Sequence, residues 1–139
     1  MTTSRSDLVG TRVVHRRYVP YSHAHYAGNL VDGAYSLGLF GDVATDMCIA
    51  TDGDEGLFAS YDDVQFTAPV RAGDVLEVSC EIVRAGNRSR VMAFEVRVVA
   101  RGAATAQAPG AAAVLPEPLL ATSATGTVVV PPRAQPGTV

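Results

Sequence analysis

The chain contains no lysine: all 11 basic residues are arginine, and against 14 acidic residues the formal charge is 11 − 14 = −3. Nucleic acid is therefore not expected as a primary partner, because proteins that track phosphates carry a basic excess. Cysteine is scarce as well. Cys48 and Cys80 fit neither a disulfide framework nor a metal-ligand spacing such as CxxC, and their apolar surroundings mark them as reduced core residues. No run approaches the roughly 18 consecutive apolar residues that span a bilayer, so no membrane partner is expected. The opening Met-Thr-Thr-Ser-Arg-Ser-Asp leads into no apolar segment, which makes a secretory signal unexpected and the cytoplasm the expected compartment. A Walker sequence, a GxGxxG after a strand and an internal repeat are all missing too. What is present is 139 residues, 47% hydrophobic and 18% charged, enough to bury the core of one domain and too few for two.

Along the chain, Thr11 to Val19 reads TRVVHRRYV, a β-branched and aromatic run stopped by Pro20 and therefore a strand. Tyr21 to Leu30, YSHAHYAGNL, is a polar loop. Asp32 then stands as an N-cap before a long proline-free stretch that Gly53 terminates, which predicts one helix. At about 100° per residue Gly33, Leu37, Phe40, Ala44, Met47 and Cys48 share its apolar face. Gly33, Gly38 and Gly41 cost helix propensity, about 1 kcal/mol each relative to Ala, and close approach to a sheet is their expected reason. Beyond the helix the period becomes two. Leu57 to Thr67, Val75 to Arg84 and Arg90 to Ala100 read as strands, with Leu76, Val78, Cys80 and Ile82 alternating against Glu77, Ser79 and Glu81 in an antiparallel meander. Residues 102–118 are an expected irregular connection, and Leu119 to Val130 is the expected last strand. Residues 1–8 and 133–139 are expected to be flexible.

One apolar helix after the first strand, followed by four strands, predicts an α+β domain over residues 1–139. A curved antiparallel sheet wraps the helix in the hotdog arrangement. Such a sheet keeps open edges, so a homo-oligomer of at least two copies is expected.

Chemistry concentrates in His23-x-His25-Tyr26-x-Gly28-Asn29 and in Asp42 and Asp46. Tyr35, Asp42 and Asp46 fall within about 40° of one another on a helical wheel. In a cleft, such a pair of carboxylates supplies acid/base chemistry, although on spacing alone two Asp one turn apart more often describe a solvated face. His23 and His25 lack a third ligand nearby, so no metal site is expected, and His15, mid-strand, reads as structural. Arg84, Arg88 and Arg90 flank the Gly86-Asn87 turn in RAGNRSR and suit phosphate groups or plain solvation. The helix start at Gly33 and Ala34 offers unpaired amides to a developing oxyanion, as every helix start does.

The blocks HAHYAGNLVDGA, LFGDVATD, DGDEGLF, FTAPVRAGD, AGNRSR and EPLLATSATGTVVVP, in that order, resemble the small hotdog acyl-CoA ammonia-lyases, the β-alanyl-CoA and 3-aminobutyryl-CoA ammonia-lyase family. The resemblance implies reversible loss of ammonia from a β-aminoacyl-CoA. Its thioester carbonyl would lie at Gly33 and Ala34, with Asp42 as the main acid/base and Asp46 binding the ammonium or sharing the proton. His25 and Tyr26 match the family's loop and would orient the amine or carry a proton. Coenzyme A would be the substrate's carrier and no cofactor is implied, its phosphates lying near Arg84, Asn87, Arg88 and Arg90 and its pantetheine arm between two subunits. A trimer of dimers is the larger assembly the resemblance allows. The alternatives are an acyl-CoA thioesterase using the same helix start and Asp42, a non-catalytic acyl-CoA binding module, and an enoyl-CoA hydratase.

Overall fold

The computed structural model describes residues 4–132. Its strands are β1 (Arg12–Tyr18), β2 (Ala24–Tyr26), β3 (Leu30–Val31), β4 (Leu57–Phe66), β5 (Val75–Ala85), β6 (Ser89–Gly102) and β7 (Ala112–Val129), and its one α-helix, α1, is Gly33–Asp52. Five strands form an antiparallel sheet in the order β1-β5-β6-β7-β4. Helix α1 lies against one face and touches all five of them. This is the expected hotdog arrangement. The polar loop also carries a small hairpin, β2 with β3, between short 3-10 turns. No helix among the described residues is long and apolar enough to cross a membrane.

Both helix ends form as the residues dictate. The Asp32 carboxylate accepts from the Tyr35 amide at 3.3 Å, and Gly53 closes the other end in the left-handed region, φ 65°, where a side chain would be strained. The buried face is turned from the expected one: Ser36, Leu39, Phe40, Val43, Ala44, Met47 and Cys48 point inward, while Leu37 is only partly buried. They meet Leu76, Val78, Cys80 and Ile82 of β5 and Met92, Phe94, Val96 and Val98 of β6, all buried, with the Phe40 and Phe94 rings stacked at 5.0 Å. Burial pushes the Cys48 thiol up to about 11 and the Cys80 thiol up to about 12, so both stay protonated core groups. Of the helix glycines only Gly33 has the expected close neighbour; Gly38 and Gly41 meet nothing within 4 Å.

Two expectations about irregular segments are corrected. Residues 112–118 belong to β7, leaving 103–111 as the connection. Pro116 and Pro118 fit there because the ladder is broken around them: Val98 faces Leu119 while Ala100 faces Val114, so no donor is demanded of either proline. Leu8 is buried, and the Arg5 amide donates to the Ala85 carbonyl at 3.2 Å, which ties down residues 5–8. The expected flexibility of 1–3 and of 133–139 falls outside the described residues.

Candidate active site

The helix start forms one wall of a cavity of about 450 Å³ lined by Tyr26, Asp32, Gly33, Ser36, Phe66, Thr122 and their neighbours. The amides of Gly33 and Ala34 have no acceptor within the helix, and the dipole aims their positive end at any oxygen placed there. Ser36 and Thr122 meet across the cavity floor at 3.3 Å. A Cβ on Gly33 would lie 2.5 Å from Phe66 Cε1 and 2.7 Å from Cζ, so glycine is what lets the Phe66 ring close over the helix start. Gly33→Ala is therefore expected to fold normally, shown by an unchanged circular dichroism spectrum. Displacing the ring should cost about 10-fold to 100-fold in kcat/KM for the acyl-CoA substrate that the sequence resemblance implies, measured by steady-state kinetics.

A second groove, about 290 Å³, runs between β1 and α1 and is lined by Val14, His15, Arg16, Arg17, Leu39, Asp42 and Val78. His15 faces the helix because its register partner is Val78, whose side chain is buried on the inner face. From there its Nε2 reaches Asp46 Oδ2 at 2.7 Å. Both stay accessible, with 37% and 51% of their side chains exposed. His15, read from the sequence as structural, thus reaches across from β1 to a helix carboxylate. Asp42, one turn before Asp46, is exposed and makes no hydrogen bond or ion pair among the described residues. The groove thus joins a free carboxylate to an imidazole–carboxylate pair, the parts needed to remove one proton and hold another.

Within one chain the two cavities are separate. Nine residues at about 1.5 Å each place Asp42 about 13 Å along the helix from Gly33, with Asp46 a further turn away, so the expected meeting of both acids with a thioester at the helix start does not occur inside a single copy. Tyr26 belongs to the helix-start cavity. His25 packs edge-on against the Tyr26 ring at 4.6 Å, and His23 lies against the Tyr35 ring at 4.5 Å. Asp32, read from the sequence only as a cap, is the carboxylate in that cavity's wall.

The expected phosphate site needs a larger correction. Arg90 points into the protein, 2% exposed, with Nε and Nη2 donating to Asp52 at 3.1 and 2.7 Å and Nη1 donating to the carbonyls of Gly86 and Ser89 at 2.9 and 3.0 Å. Strand parity is the reason: 90 shares its face with buried 92, 94, 96 and 98. Arg84, Asn87 and Arg88 are exposed, but their turn lies beside Asp52 at the far end of α1, about 30 Å of helix from Gly33.

Comparison with known proteins bears on what this geometry serves. Residues 28–104 match the model of the thioesterase superfamily. The chain is 53% identical to the 3-aminobutyryl-CoA ammonia lyase of Acetoanaerobium sticklandii over 114 residues, 81% of this chain and 88% of that protein. It superposes on the β-alanyl-CoA:ammonia lyase from Clostridium propionicum with a TM-score of 0.82 at 39% identity, covering 88% of this chain and 86% of the other. A hexameric thioesterase from Yersinia pestis shares the fold at 18% identity, with a TM-score of 0.69 and 88% of each chain covered.

Proposed function

Because the chain belongs to the thioesterase superfamily and, within it, to the acyl-CoA ammonia-lyases, we propose that it catalyses the reversible elimination of ammonia from a small β-aminoacyl-CoA to give the enoyl-CoA. The observation that carries this reading is the 53% identity to a 3-aminobutyryl-CoA ammonia lyase across 81% of the chain. The groove of His15, Asp42 and Asp46 supplies matching chemistry. Asp42, without a partner, takes the α-proton as the C–H bond breaks. The C–N bond then breaks and the substrate's ammonium nitrogen leaves as ammonia, beside the Asp46 carboxylate that His15 holds in place. Amides at Gly33 and Ala34 receive the thioester oxygen as it gains charge. Tyr26, in the wall of that cavity, and His25, packed against the Tyr26 ring, orient the amine.

Since one copy keeps the helix start and the carboxylate groove about 13 Å apart, a second copy completes the site, one protomer's helix start facing the other's groove. The open sheet edges support at least a dimer: β1 and β4 end the sheet, and β4 exposes Leu57 at 68% and Phe66 at 58%, a surface suited to association. Coenzyme A serves as carrier of the acyl group in this reading, and the cytoplasm is its proposed compartment. The test is incubation of the protein with crotonyl-CoA and ammonium while enoyl absorbance and free thiol are followed together. Loss of absorbance with the thioester intact is the expected result. Thiol release without amine addition would instead establish an acyl-CoA thioesterase acting through the same helix start.

A further inference from the structure

A third cavity, about 330 Å³, has no part in the chemistry above; Tyr18, Tyr21, Asn29, Arg71, Asp74 and Arg101 are among the residues lining it. It adjoins the helix-start cavity through a two-stranded strap, in which the Val31 amide donates to the Val70 carbonyl at 2.8 Å and the Ala72 amide donates to the Asn29 carbonyl at 2.9 Å. Val31 and Val70 line the helix-start cavity, whereas Asn29, Arg71 and Ala72 line this one. A long, thin ligand held at Gly33 can follow the strap from one to the other.

The charge in this cleft is not balanced. Its charged lining is Arg71, Arg101 and Asp74. The Asp74 carboxylate is fully buried and accepts from Arg101 Nε at 3.0 Å, from Arg101 Nη2 at 2.9 Å and from the Arg71 amide at 2.8 Å, so Arg101 and Asp74 neutralise each other. The Arg71 side chain is exposed and makes no hydrogen bond or ion pair among the described residues. Beside it Tyr18 and Tyr21 expose 53% and 63% of their surface. An uncommitted guanidinium fits a phosphate bidentately, and aromatic faces stack on a flat heterocycle.

We propose that this cleft holds the 3′-phosphoadenosine end of the coenzyme A thioester, with Arg71 on a phosphate and Tyr18 and Tyr21 against the adenine. The assignment rests on the acyl-CoA reading above and moves the nucleotide away from the Arg84 to Arg88 turn. The experiment is calorimetric titration of the full chain, and of Arg71→Ala, Tyr18→Ala and Arg88→Ala, with coenzyme A and with adenosine 3′,5′-bisphosphate. Arg71→Ala should weaken both ligands about 10-fold or more, Tyr18→Ala should weaken both to a smaller extent, and Arg88→Ala should bind as wild type. In kinetics, Arg71→Ala should lose the preference for a CoA thioester over the matching pantetheine thioester. Unchanged affinity in Arg71→Ala, or a loss that follows Arg88 instead, overturns the assignment. If the wild type binds coenzyme A through Arg71 yet transfers no ammonia, the lyase reading falls and the nucleotide subsite stands.

Discussion

Asp42→Asn is expected to lower kcat for amine addition to crotonyl-CoA by about 10²-fold to 10⁴-fold, the range that a positioned acid/base group contributes. The substitution is nearly isosteric and the side chain is exposed with no bonding partner among the described residues, so folding is not expected to change and the loss can be assigned to proton transfer. Asp46→Ala and His15→Ala should resemble each other, because each removes one side of the same 2.7 Å contact. A reduction below about tenfold in Asp42→Asn would remove Asp42 from the mechanism. Asp32, in the wall of the helix-start cavity, would then be the next carboxylate to replace.

The largest stability effect is expected at Arg90. Truncation to Ala removes the bidentate partner of Asp52, whose side chain is 7% exposed, and breaking one half of a buried pair costs about 3–5 kcal/mol. In a chain of this size the midpoint of thermal unfolding should fall by about 10 °C or more, read by calorimetry or circular dichroism. Arg90→Lys should recover only part, since an ammonium cannot reproduce two parallel contacts to one carboxylate. The pair also sets a pH dependence. Burial alone would push the Asp52 carboxyl up, but the hydrogen bonds from Arg90 and Thr51 and the nearby positive charge outweigh it and hold it below the usual carboxylate value. A depressed folded value means that the contribution is complete above the ordinary carboxylate range and is lost as pH falls through the folded value. Acid should therefore destabilise the wild type more steeply than Arg90→Ala, and equal slopes would contradict the pairing.

Much of the architecture could be read from residue order, because each signal was local. Asp32 and Gly53 bracket the helix where capping chemistry requires, and the alternation Leu76, Val78, Cys80, Ile82 gives β5 its buried face directly. Contacts that join distant segments were less legible. His15 sits 31 positions from Asp46, and only the register of β1 against β5 aims it at the helix. Arg90 was grouped with its turn neighbours by composition, although the parity it shares with Met92 and Phe94 would have turned it inward. Residues 112–118 read as irregular, yet the broken ladder around Pro116 and Pro118 lets them continue β7. The free guanidinium of Arg71 depends on how Arg101 and Asp74 pair, 27 residues apart, which no local pattern encodes.

The order β1-β5-β6-β7-β4 has a consequence for how the molecule assembles. Strands β5, β6 and β7 follow one another in the chain and zip through successive hairpins, whereas β4, made earlier, waits for β7 before it gains a neighbour. During synthesis the segment Leu57–Phe66 must stay unpaired until residues near Val129 leave the ribosome, and the helix before it has no completed surface to settle on. Acidic residues such as Asp62 and Asp63 within that waiting strand then act as guards against wrong partners.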